Sequence, residues 1–388
     1  MKNKNKLFYL LAIAASAMMF SCEDKNEPII TDEDDEEAKI AAVVDSLIID
    51  TYVNDVIINT YTEMKDDATV LYEAVEAYTE DRSQDNLNAV CAAWRAMRIP
   101  WEQSEGFLFG PAALLSLDPS LDSWPLDKGN IDKIVRGTES IDIDRIASSN
   151  VHGFHAIEYL IFDAGQPKTT ALSDRELAYL QAATEFLRND TYQLYANWVG
   201  ADNASEEVIE ALEEAEIDIK YRFAEQFKNA GKLGSTFSSR RDAIDQIIDG
   251  CTDIASEVGS QKIGGPYNTA KVNYDQAVLE VESWYSWNSL ADYRNNIVSI
   301  RNSYFGGRNK TAADASANSI STFVKSKNSA LNEEVTNAIE AAINAIDGIQ
   351  PKPFRNAIQG GNNATIDKAM SACADLESSL LKIKALRN

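Results

Sequence analysis

Apolar residues recur three and four positions apart from Ala38 onward, as in "AVVDSLIIDTYVNDVIINTY" and "ATVLYEAVEAYTEDR", while the strict alternation of a half-buried strand is scarce. That spacing lays one apolar stripe along a helix, so the chain is expected to be all-α. Ser83 is a candidate N-cap for "QDNLNAVCAAWRAMRIPWEQSE", and Ser173 with Glu176 forms a capping box ahead of "DRELAYLQAATEFLRNDTYQLYANWV". Long helices joined by short polar turns pack as bundles. Between Gly106 and Asn150 the period lapses, and Pro111, Pro119 and Pro125 stand among apolar residues. A stretch this long inside a compact domain is expected to be functional or to cover a bundle end.

The first residues are read apart from the fold. Lys2, Lys4 and Lys6 precede the apolar run "LFYLLAIAASAMMF", the pattern of a secretory signal peptide over residues 1–21. The run ends in "FSC", which resembles a bacterial lipobox and makes Cys22 the expected lipidated residue; an ordinary cleaved signal or an uncleaved anchor is the alternative. The run is shorter than the roughly 20 residues that span a bilayer, so the expected membrane attachment is through lipid only. Behind Cys22, "EDKNEPIITDEDDEE" carries nine acidic residues and one lysine, an acidic linker over residues 22–38. It serves either as a plain spacer or as the surface-export signal that such runs resemble. The expected location is therefore the outer membrane, on its periplasmic or cell-surface face.

Removing the leader's three lysines from 36 basic against 61 acidic residues leaves 33 against 61, a net charge near −28. Nucleic acid is excluded as a partner, because it is bound through Lys and Arg on phosphates. Such a charge steers cationic partners and also simply keeps a chain soluble. Besides Cys22, the chain has Cys91, Cys251 and Cys373, each alone in an apolar-periodic segment. Without paired spacing they are expected to be buried small hydrophobes rather than zinc ligands.

Beyond the linker, roughly 350 residues exceed what one bundle core fills. Two helical-bundle domains are expected, residues 39–230 and 231–388, joined near "NAGKLGST". The order of elements leading to "EVESWYSWNSLADYRNNIVSIRNSYFGG" echoes the order leading to "PWEQSEGFLFGP", a hint of internal duplication.

The chain has only two histidines, and both fall in "NVHGFHAIEYLIF". On a helix, His152, His155 and Glu158 would form one slowly drifting stripe. His155 and Glu158 could then aim at one point, which is half of a metal site; the plain alternative is an interior histidine hydrogen-bonded to a glutamate one turn away. Gly153 would let another backbone come close. Glu158, among apolar neighbours, would need a partner if buried. Glu102 and Glu105 repeat the three-residue spacing and offer two more carboxylates, with Arg95 and Arg98 one and two turns earlier as competing salt-bridge partners.

Together, "GFHAIE", "AAWRAMRIPWEQSEGFLFGP", "DSWPLD" and "ESWYSWNSLADYRNNIVSIRNSYFG" resemble the imelysin family of secreted or lipid-anchored bacterial proteins, which is classed with a metallopeptidase and linked to iron uptake. The resemblance implies two helical-bundle domains with a functional cleft at their interface. It places Gly153, His155 and Glu158 on the GxHxxE motif and Glu102 and Glu105 on an acidic pair. Glu282, Ser283, Ser286, Asp292 and Arg301 fall on a second-domain motif. Trp284, Tyr285 and Trp287 stand where that motif often carries histidine or acidic residues, which weakens metal ligation from that side.

Three functions of different kind stay open. A site of His155, Glu158, Glu102 and Glu105 suits iron or another hard or intermediate cation, either as the ion or within an iron-bearing ligand, and is the favoured reading. A zinc peptidase would need an open coordination position and a base, but the chain has no third histidine. A metal-independent glycan or peptide binder would use Trp284, Tyr285, Trp287, Tyr293 and Tyr304 as a platform, although such a stripe more commonly packs into a core. Ser283 and Ser286 have no base near them in sequence, and no phosphate-binding glycine loop is present.

Overall fold

A computed structural model describes residues 32–148 and 150–386. The expected leader and Cys22 lie outside the described residues. The chain divides into an N-terminal unit through Ala42 and a compact unit from Val43 to Asn388. The protein is all-α, as its periodicity predicts: among the described residues helices account for nearly every element, and the exception is a two-stranded hairpin, β1 Phe162–Asp163 and β2 Gln166–Pro167. Among the described residues no helix is long and apolar enough to cross a membrane.

Helix α1 (Asp32–Thr51) continues through a π-helical turn, Tyr52–Ile58, into α2 (Asn59–Glu80). Helix α2 packs against α3 (Gln84–Glu102) and α5 (Asp174–Val199), and the short α4 (Phe154–Ile161) lies against α3 and α5. A second group holds α6 (Arg240–Glu257), α7 (Ser289–Phe305), α8 (Ser329–Asp347) and α9 (Ala364–Ala385), with α9 packed on α6 and α8. The predicted caps form: Ser83 accepts from Asn86 N, and Ser173 with Glu176 closes a reciprocal capping box. Cys91, Cys251 and Cys373 are free and buried.

The groups meet where α7 packs on α3 and where α6 crosses the 3-10 turn Glu105–Phe107. One apolar core runs continuously through both groups. At the crossing the approach is closest at glycine: a Cβ on Gly250 would lie 2.2 Å from Gly106 O. The stretch from Gly106 to Asn150 is not a bare loop. It carries short helices at Pro111–Leu114, Asp118–Leu121 and Lys128–Arg136 and forms part of a cleft wall. Because backbone faces backbone at Gly250, Gly250→Ala is expected to destabilise the protein by about 1–3 kcal/mol in urea unfolding, the usual cost of overpacking. An unchanged midpoint would contradict this contact.

Candidate metal centre

Helix α4 begins one residue after Gly153, whose φ of +81° opens it. A Cβ there would lie 2.4 Å from Leu121 O and 2.7 Å from Ser120 O, so the glycine admits the 120–121 backbone, as the sequence suggested. This turn overturns the expected stripe of His152, His155 and Glu158. His152 precedes the helix and points elsewhere. Its Nδ1 meets Ile146 O at 2.8 Å, its ring stacks on Phe186 at 4.0 Å, and Ser120 Oγ bridges its Nε2 (3.0 Å) and Asp190 Oδ2 (2.5 Å).

His155 and Glu158 are both buried but do not aim at a common point. His155 Nδ1 donates to Glu158 Oε2 at 2.8 Å, while Glu158 Oε1 accepts from Ser286 N (2.7 Å) and Ser286 Oγ (2.6 Å). Glu158 therefore orients the imidazole from behind, as carboxylates do for metal-bound histidines, and clamps the second-group segment to α4. That leaves Nε2 of His155 facing Asp122 Oδ1 at 3.0 Å and Glu282 Oε1 at 3.8 Å. The buried Nε2 is thus ion-paired with Asp122, though not in well-aligned hydrogen-bond geometry. Trp124 covers the ring edge-on at 4.7 Å.

Arg98, 1% exposed, organises the acids around it. Its guanidinium pairs with Glu102 one turn on, with Asp122 at 2.6 Å, and with Glu282 and Asp292 from the second group at 3.3 and 3.2 Å. Glu102 also accepts from Asn296 Nδ2 (2.5 Å), Asp122 from Trp101 Nε1 (2.5 Å), and Asp292 from Ser283 Oγ (2.5 Å). Arg95 holds the same segment by bonds to Ser286 O (2.7 Å) and Asn288 Oδ1 (2.8 Å). The segment stores backbone strain, with Ser283 at φ 51° and Trp287 at φ 59°.

The predicted residues His155, Glu158, Glu102, Glu282, Ser283, Ser286 and Asp292 thus converge, and Glu105 joins them at the cleft. Arg301 does not: farther along α7, its charged neighbours are Glu340 and Arg294. The aromatics do not form a platform. Tyr293 and Tyr304 are core, Trp284 lies under Arg355, Tyr285 packs on Tyr159, and only Trp287 is exposed, at 39%. Two participants were absent from the sequence-based set, Asp122 and Lys262. Asp122 stood in plain view within "DSWPLD"; nothing local marks Lys262.

The ligand-capable atoms of Asp122, His155 and Glu282 lie within 4.8 Å of one another, as do those of Glu102, Glu105 and Asp122. Beside them opens a cleft of about 540 Å³ lined with Glu105, Asp118, Asp122, Asp253, Glu257, Glu280 and Glu282 against Lys262. The donor set, one imidazole and several carboxylates gathered around Nε2, fits a hard or intermediate cation. Burial outweighs Lys262 to push the Glu105 carboxyl up to about 8, and with Asp122 it pushes Asp118 to about 6. Burial likewise raises Asp190 to about 7. Burial disfavours a charged His155, but Asp122, Glu158 and Glu282 prevail and hold it well above the usual range. Glu282 goes the other way, to about 2, because Lys262 and His155 overcome its burial.

A carboxyl raised on folding stabilises the fold at low pH and withdraws that contribution as pH climbs through its folded value; raised His155 acts in the same direction at higher pH. The melting temperature of the metal-free protein is therefore expected to fall between about pH 5 and about pH 8, and a melting temperature that rises across that window would contradict this assignment.

A family model described as Imelysin matches residues 57–383. Iron-regulated protein A of Synechococcus elongatus is 30% identical over 79% of this chain and 73% of its own. A crystal structure assigned as an iron-regulated protein A precursor, from Parabacteroides distasonis, is 36% identical, with a TM-score of 0.80 over 89% of this chain and 96% of its own. An imelysin peptidase structure from Bacteroides ovatus is 37% identical over 51% of this chain and 49% of its own, with a TM-score of 0.42.

Proposed function

The chain belongs to the imelysin family, and from that premise we propose that it binds a metal ion, or a metal-bearing ligand, in the acidic cleft as part of iron uptake. The observation that carries the reading is His155 Nε2: buried, held in place by Glu158 through Nδ1, and paired only with the carboxylates of Asp122 and Glu282, which a cation would share with it. His155, Asp122 and Glu282 would hold the cation, with Glu105 and Glu102 as further oxygen donors. Iron enters through the relatives named for iron regulation, and one nitrogen among oxygens suits it. In the same reading, residues 39–230 and 231–388 are two bundle domains, and Cys22 tethers the protein to the outer membrane by lipid alone.

Binding is favoured over peptide hydrolysis by the state of the carboxylates. A catalytic zinc needs a base free to take a proton from its water, whereas Asp122 and Glu282 are held by Arg98 and Lys262 and His152 is turned away. Equilibrium dialysis against Fe(II), Mn(II) and Zn(II) tests the reading. The protein is expected to retain one ion, His155→Ala to lose it, and Glu158→Gln to bind about 10–100-fold more weakly. Equal retention by all three proteins, or by none, would overturn it.

A further inference from the structure

The candidate centre already contains a cation. Lys262 projects from a second π-helical turn, Val258–Ile263, that follows α6. Its ammonium is half-buried at the cleft, 3.3 Å from Glu105 Oε1 and 3.5 Å from Glu282 Oε2. These two carboxylates belong to different metal-capable triads, one with Glu102 and the other with His155, and Asp122 is common to both. Lys262 therefore sits where the triads meet.

Its attachment is loose for so charged a place, since both contacts are longer than a well-formed bond between ammonium and carboxylate, about 2.7–2.9 Å. The backbone that carries it is the opposite. A Cβ on Gly259 would lie 2.8 Å from Cys373 Cβ of α9, and one on Gly264 would lie 2.9 Å from Gly259 O. A fixed turn thus presents a long, flexible side chain ending in a point charge. Lys262 also lines the cleft, where Glu257, Asp253 and Glu280 stand as alternative partners.

We propose that Lys262 is a tethered competitor for the metal site: its ammonium neutralises the joined triads when the cation is absent, and withdraws toward the cleft carboxylates when a multivalent cation enters. The inference rests on the cation-binding reading above and adds the device that limits affinity. One ammonium cannot bond all the carboxylates that a divalent or trivalent ion can, so such ions displace it and monovalent ions do not. A site with a built-in competitor also releases its cargo, because the lysine returns at high local concentration as the ion leaves.

The test is calorimetric titration of the full chain with Mn(II), and with Fe(II) under anaerobic conditions, for the parent, Lys262→Met and Lys262→Arg. Lys262→Met is expected to bind about tenfold tighter or more, since a like charge beside the ion is removed, while Lys262→Arg binds no tighter than the parent. Metal should also raise the melting temperature of Lys262→Met more than that of the parent. If Lys262→Met folds only with Mn(II) present, that dependence is the expected exchange, and Lys262→Gln carries the same affinity expectation. A parent that binds metal alongside neutral variants that bind equally or more weakly would overturn the competitor role and leave the cation site standing. No binding by parent or variants would remove the cation site, and this inference with it.

Discussion

The buried guanidinium of Arg98 is the contact on which the rest of this structure depends. It draws Glu102 from its own helix, Asp122 from the stretch after Gly106, and Glu282 and Asp292 from the second helix group into one cluster. Its flat face also rests over Phe154 at 4.9 Å, so it is packed as well as paired. Removing one member of a buried charge set typically costs about 3–5 kcal/mol, because the remainder is left uncompensated. The interaction that joins the two groups is thus also the one that places Asp122 and Glu282 before His155. Stability and the geometry of the candidate site come from the same atoms.

More acid is gathered there than Arg98 can neutralise. The chain meets the surplus in several ways: Glu105 and Asp118 hold protons to higher pH, His155 is drawn toward its charged form, and Lys262 lies between Glu105 and Glu282. Each is a substitute for positive charge. In this account a multivalent cation replaces them together, trading protons and an ammonium for metal–oxygen bonds and one imidazole bond. The strain at Ser283 and Trp287 is maintained because Glu158 and Arg95 fix their segment from the first group.

Much of the fold was legible because helical period and caps are local: Ser83 and the Ser173–Glu176 pair stand where their side chains satisfy open backbone amides. Gly153 was legible for the same reason, since a glycine two residues before the candidate histidine signals close backbone. The three-residue spacing failed at His152 because the helix begins after Gly153, and spacing holds only within the helix. It placed Glu158 beside His155, but whether a carboxylate ligates or orients depends on what takes its other oxygen, here Ser286, 128 residues from Glu158. Asp122 was one acid among many, in a stretch without period. Lys262 was beyond reach, because its meaning arises only where a π-helical turn brings it to Glu105, 157 residues distant in the chain.

The most direct test of the central claim, a cation bound at His155 Nε2, is anomalous diffraction from crystals of the protein grown with Mn(II). One strong peak is expected about 2.0–2.2 Å from Nε2 and from a carboxylate oxygen of Asp122 or Glu282, with the Lys262 side chain moved toward Glu257. A peak elsewhere, or none while Nε2 stays within 3.0 Å of Asp122 as it is here, would contradict it.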